Sequence, residues 1–183
     1  MVAAALFFGV RSDGLISAEG TSAAKNLTFI SEPTRVDADL ALLKRLSGAS
    51  ERFVPADAAF LERSPDIEEA AQRLGKAVGA ASRLVPFRSG AQAVLEVIPG
   101  RARAVYLPIL PQVNEAERIS IFRGLARRGV VTVSMLGEEE VRLGALGGLA
   151  SDTTSAIARR TAVNIHRLLR GGSTEALPVV LPV

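Results

Sequence analysis

Residues 130–183 read VVTVSMLGEEEVRLGALGGLASDTTSAIARRTAVNIHRLLRGGSTEALPVVLPV, and the order of elements in this stretch decides the fold. A β-branched run, Val130 to Met135, is followed by a glycine-spaced segment, Gly144 to Ala150, then a long amphipathic helix, a Gly171-Gly172 stop and a final apolar strand. Loops in alternating α/β domains are usually a few residues long, so an extended, glycine-rich segment between a strand and the next helix suits a chain passing between two lobes. The small residues there permit close backbone approach, and Gly147→Val is expected to cost about 1–3 kcal/mol. The same glycines do not make GxGxxG, and no lysine follows them as in a phosphate loop, so dinucleotide binding is not indicated.

Upstream of this stretch the chain alternates. Val2 to Phe8 reads as a buried strand and Asn26 to Ile30 as a second extended piece. Thr34 with Asp37 has capping-box spacing, and Leu40, Leu43 and Leu46 give a helical stripe up to Gly48. Arg52 to Asp57 reads as a strand that Pro55 assigns to an edge or a bulge. Ser64-Pro65 is expected to open a helix with Ile67, Ala70, Ala71, Leu74 and Val78 inward. Arg83 to Phe87 and Ala104 to Leu110 read as strands, with a short helix from Gly90 to Ile98 between them. Asn114 and Glu117 bracket the start of a helix whose apolar side is Ile119, Phe122, Leu125 and Ala126. Strict alternation of this kind implies parallel strands joined by right-handed crossovers, a doubly wound α/β sheet with helices on both faces.

Composition excludes several classes. The 183 residues carry a formal charge of only +3, no Trp and one Tyr, with basic residues scattered, which argues against a nucleic-acid partner. With no cysteine there is no disulfide framework and no thiolate chemistry. The apolar opening is too short to span a bilayer and lacks the basic start of a secretory signal, so it reads as a buried strand, with Ile16-Ser17-Ala18 as a cleavage-site-like pattern leaving a signal reading as the alternative. His166 is the sole histidine, so a multi-histidine metal site cannot form. The stripe Ala158, Ala162, Ile165, Leu169 predicts the buried side of its helix, with His166 at the border. The run Glu138-Glu139-Glu140 suits the first turn of a helix better than a cation site. There is no nucleophile elbow, no HExxH and no acid–base pair, and the chain is read as a non-enzyme that needs no cofactor.

In an open parallel sheet, ligands bind outside the carboxyl ends of the strands. That rule selects Asp57, Arg88, Ser89, Gln112, Ser134 and Met135 as candidate ligand-binding residues. Among them, Arg88 can pair bidentately with a carboxylate, and Gln112 can donate or accept a hydrogen bond.

The segment Gly144-Ala145-Leu146, Asp152 before the helix, the Ala162-to-Leu169 helix core, the Arg170-Gly171 stop and the tail Leu177-Pro178-Val179 together resemble the end of periplasmic substrate-binding proteins of ABC importers. Lys25-Asn26-Leu27-Thr28 resembles that family's first lobe crossing. The resemblance implies hinge closure of two α/β lobes over a small amino-acid-like solute and delivery to a membrane permease, in the periplasm or another extracytoplasmic space. It implies hinges near 26–31, 146–151 and 173–177. It divides the chain into a remnant of the amino-terminal lobe, 1–30 and 151–172, and a carboxyl-terminal lobe, 31–150 and 173–183. Only about thirty residues precede the first crossing, enough for one or two strands, so weak binding and self-association through the incomplete lobe are expected. A stand-alone flavodoxin-like regulatory or interaction domain is the alternative, and a small enzyme using His166 a more distant one.

Overall fold

The computed structural model describes residues 16–18, 20–23, 27–30, 36–149 and 154–179. The chain divides into two compact units, one within residues 35–151 and one combining parts of 1–34 and 152–183. Expectations for Val2 to Phe8, Thr34, Asn26 and Asp152 lie outside the described residues.

The larger unit begins with α1, Val36–Ser47, followed by β1, Glu51–Asp57, a short α2, Ala58–Arg63, and α3, Ile67–Ala77. Then come β2, Ala81–Phe87, α4, Gly90–Val97, β3, Ala104–Leu107, α5, Glu115–Arg127, β4, Val131–Ser134, and α6, Glu138–Leu143. The four strands form one sheet in the order β2-β1-β3-β4, every pairing parallel. This is the doubly wound α/β architecture that the alternation predicts.

The pleat sends alternate side chains to opposite faces and so builds two cores. Phe53, Val105 and Leu107 pack with Val94 of α4, Ile98 just past its end, and Ile121, Phe122 and Leu125 of α5. Val54, Ala104, Tyr106 and Val133 pack with Val36, Leu40 and Leu43 of α1, and Leu74 of α3 joins that side. Burying a side chain of this size contributes about 1.5–3 kcal/mol, so both layers hold the sheet. The α4–α5 pair is further fixed by Arg128, whose guanidinium donates to the carbonyls of Leu95, Ile98 and Pro99 at 3.0, 2.7 and 2.6 Å. The expected capping box of α5 is present, Asn114 Oδ1 accepting from Glu117 N–H at 3.0 Å and the Glu117 carboxylate accepting from Asn114 N–H at 2.9 Å.

Several local expectations are corrected. Despite Pro55, β1 is a central strand, because its seven-residue ladder with β2 compensates for a pairing with β3 that registers only at Phe53 opposite Val105. Ser64 closes α2, a helix the sequence reading missed, and α3 starts after Asp66. Strand β3 ends at Leu107, ahead of Pro108, although Leu110 is still buried. Leu46 is 49 % exposed, and the inward place in α1 goes to Asp39, whose carboxylate accepts from the Tyr106 hydroxyl at 3.1 Å. On α5, Ile121 is buried and Ala126 is exposed.

The smaller unit joins distant parts of the chain through bridges of Ile16 with Ser22 and of Thr21 with Pro178, and through packing of Phe29 on Val179. The tail at Leu177 to Val179 therefore sits with the amino-terminal segments, contrary to its expected return to the carboxyl-terminal lobe. Helix α7, Thr154–Leu169, also turns a different face inward than expected: Asn164 is buried while Ile165 and Leu169 are 51 % and 82 % exposed. The Asn164 amide donates to the Pro178 carbonyl at 3.3 Å, on a face about one residue round from the Ala158/Ile165 stripe. His166 is exposed. Among the described residues no helix is long and apolar enough to cross a membrane.

The glycine-spaced segment runs beside β4, Gly147 N–H donating to Thr132 O at 3.1 Å and Ser134 N–H donating to Gly147 O at 3.0 Å, so it covers that edge of the sheet. The tight residue is Gly148, not Gly147. A Cβ at 148 would stand 2.6 Å from Gly137 Cα and 2.9 Å from Ser134 O, whereas one at 147 meets only side-chain atoms at 3.5 Å or more. Gly148→Ala should therefore cost about 1–3 kcal/mol by overpacking against backbone, while Gly147→Ala should stay within about 0.5 kcal/mol of wild type. Urea unfolding of the two variants checks the ranking, and equal midpoints would contradict it.

Candidate functional site

Parallel strands deliver all their carboxyl ends to one edge, and in the order β2-β1-β3-β4 the winding reverses between β1 and β3. Connections leave such a switch point in opposite directions and open a crevice between them.

Asp57 ends β1 at this point. Its Oδ1 accepts from the Phe60 N–H at 2.8 Å, capping α2, and its Oδ2 accepts from Gln112 Nε2 at 3.3 Å. Gln112 lies in the turn that follows β3, so two of the six expected residues meet across the switch point. A third is close by the register of the sheet: Arg88 directly follows Phe87, the partner of Asp57, and neighbouring strands lie about 4.8 Å apart. Arg88 is exposed and has no ion-pair partner among the described residues.

Ser89, also exposed, precedes α4 with extended backbone, and its hydroxyl makes no capping bond. Gly90 follows at φ +79°, and a Cβ there would stand 3.3 Å from Glu117 Oε1. Glycine thus allows the left-handed turn and lets the first turn of α5 approach. The loops after β1, β2 and β3 thus all open at this edge, with Asp57 and Gln112 in contact and the exposed Arg88 and Ser89 in the adjoining loop.

Ser134 and Met135 are used differently. Ser134 is wholly buried, its hydroxyl donating to the Glu140 carboxylate and accepting from Leu136 N–H at 3.1 Å. The Met135 N–H donates to Leu107 O at 2.9 Å and its side chain packs on the α1-side core. Both residues hold the turn after β4, and neither offers a free polar group to the crevice. The sequence placed Glu140 correctly in the first turn of a helix but gave no sign that it would fold inward onto Ser134.

Glu140 is 2 % exposed, with Arg118 Nη1 3.5 Å from its Oε1. Burial pushes its carboxyl above the usual range, opposed by the Ser134 hydrogen bond and the Arg118 charge. Burial likewise raises the Tyr106 hydroxyl, with the Asp39 carboxylate adding to the effect. The Asp39–Tyr106 contact joins residues 67 apart in sequence, a pairing that no local pattern reveals. Among the described residues no group of acidic or histidine side chains is arranged to hold a metal ion. No protein-family model matches the chain, and no curated protein shows significant similarity to it.

The raised Glu140 carboxyl makes a pH prediction. The native state keeps this proton at a pH where the unfolded chain, near 4.5, has released it. Its contribution to stability is therefore largest at low pH, declines as pH rises from the unfolded value through the folded one, and is level above that. Glu140→Gln should remove this decline. Urea unfolding of both proteins between about pH 4 and pH 8 should give stability curves that diverge across the window, and parallel curves would contradict the assignment.

Proposed function

We propose that the chain is a solute-binding component of an ABC-type importer, taking a small amino-acid-like solute at the carboxyl edge of its sheet and presenting it to a membrane permease outside the cytoplasm. The observation that carries this reading is the Asp57–Gln112 hydrogen bond across the switch point, with the unpaired Arg88 in the adjoining loop. Arg88 is suited to a bidentate bond with a solute carboxylate, and the remaining lone pairs of Asp57 to a solute ammonium. Ser89 and Gln112 supply neutral hydrogen bonds that orient the bound molecule. Ser134 and Met135 serve as scaffold for the neighbouring turn.

The resemblance of the carboxyl-terminal stretch to periplasmic substrate-binding proteins supplies the transport context, and hinge closure is the mechanism it implies. Assignment of α7 to a different compact unit from β4 favours this two-lobe reading over a stand-alone flavodoxin-like domain, in which that helix would cover the same sheet. The role is capture and release without covalent chemistry.

Calorimetric titration with a panel of amino acids and related zwitterions tests the reading. At least one should bind saturably, with a Kd of about 1 mM or below. Arg88→Ala removes a charge-assisted hydrogen bond worth about 1.5–3 kcal/mol and should weaken binding about tenfold or more. Absence of saturable binding across the panel, or an unchanged Kd in Arg88→Ala, would contradict it.

A further inference from the structure

At the opposite, amino-terminal edge of the sheet a buried cation stands without a counter-charge. Arg52 of β1 is 2 % exposed and makes no ion pair among the described residues. Its Nε donates to Ser82 Oγ at 2.8 Å and its Nη2 to Ala80 O at 3.1 Å, but its Nη1 has no hydrogen-bond partner among the described residues. Burial opposes the charged form, pushing this guanidinium below its ordinary value. An unpaired buried charge is strongly destabilising unless some other group compensates it.

The wall in front of Arg52 faces an open concavity. Ser82 and Ala80 line a space of about 500 Å³ together with Ser50, Gln72, Lys76 and Arg83. Arg83 is ion-paired to Glu51, but that same carboxylate is also shared with Arg101, 3.7 Å away, so the ion pairs leave an excess of positive charge here. Because Ser82 Oγ accepts from Arg52, its own hydroxyl hydrogen remains to be donated elsewhere. The concavity lies beside the carbonyl end of α3, which would repel an anion if its carbonyls were bare. Three of the last four are not: Leu74, Gly75 and Lys76 accept from the N–H groups of Val78, Ala80 and Gly79 at 3.3, 3.0 and 3.1 Å.

We propose that this concavity is an oxyanion site, taking a phosphate or sulfate group between the Lys76 ammonium, the Ser82 hydroxyl and the Gln72 amide, with Arg52 compensated through the wall behind it. The shared chemistry is the tetrahedral oxyanion, whether a free ion or the phosphate of a small metabolite. The site lies at the edge remote from Asp57 and Arg88 and does not depend on the solute reading.

The test titrates the full chain with inorganic phosphate, sulfate and glycerol phosphate at constant ionic strength, following heat and thermal unfolding. Phosphate should bind saturably with a Kd of about 1 mM or below and raise the unfolding temperature beyond a sodium chloride control. Lys76→Gln, a change at an exposed position, should weaken binding about fivefold, and Lys76→Gln with Ser82→Ala about tenfold or more. Tighter binding of glycerol phosphate than of phosphate identifies a metabolite as the source, and the reverse order identifies the free ion. No saturable binding above the salt control, or full affinity in Lys76→Gln, would overturn the proposal.

Discussion

Everything in the larger unit depends on the parallel pairing of β1 with both of its neighbours. A parallel ladder cannot be closed by a tight turn, so each connection must cross a face of the sheet, and each crossover here carries a helix. With β2 on one side and β3 on the other, the helices are divided between two faces, and each face acquires its own core. Phe53 anchors one layer and Val54 the other, so adjacent residues of a single strand support both. Pro55 is tolerated at the centre because the long ladder with β2 does not rest on its missing donor alone.

The same constraint separates the chemistry into two edges. At the carboxyl ends Asp57 and Gln112 meet, and the exposed Arg88 and Ser89 stand in the adjoining loop, so this edge carries groups of both charges and neutral hydrogen-bonding character. At the amino ends, Arg52, Lys76 and Arg83 share little acidic compensation, and a buried guanidinium is left with one nitrogen unpaired. Mixed charge suits a zwitterion, and concentrated positive charge suits an oxyanion. Between the edges the buried polar pairs Tyr106–Asp39 and Ser134–Glu140 fix α1 and α6 to the sheet at specific residues.

Helix and strand alternation was legible because hydrophobic period and caps are local: Asn114 and Glu117 announce α5 through residues three apart. Burial that depends on a distant partner was not legible. No local pattern marked Asp39 or Glu140 for burial, yet each turns inward to meet a hydroxyl, and Arg52 was placed only as part of its strand. Helix α7 shows the limit of periodicity: two stripes lie one residue apart, and the structure buries Asn164 of the less apolar one while Ile165 and Leu169 of the other stay exposed. The strand-end rule placed Asp57 and Gln112 at one edge, where they meet, because it follows from topology. It misjudged Ser134 because strand ends also hold the residues that anchor the next turn. The glycine segment was read correctly as tightly packed, but only backbone distances could show that Gly148, and not Gly147, is the constrained position.

The central claim, that a zwitterionic solute binds at the carboxyl edge of this sheet, is tested most directly by titrating the isotope-labelled chain with the amino-acid panel and mapping amide chemical-shift changes by NMR. The account predicts saturable changes concentrated in three separate loops, at Asp57 to Phe60, Arg88 to Gly90 and Gln112 to Asn114, appearing together with a single affinity. Changes confined to the amino edge at Ala80 to Arg83, or to the exposed side of α7, or no saturable change with any member of the panel, would contradict it.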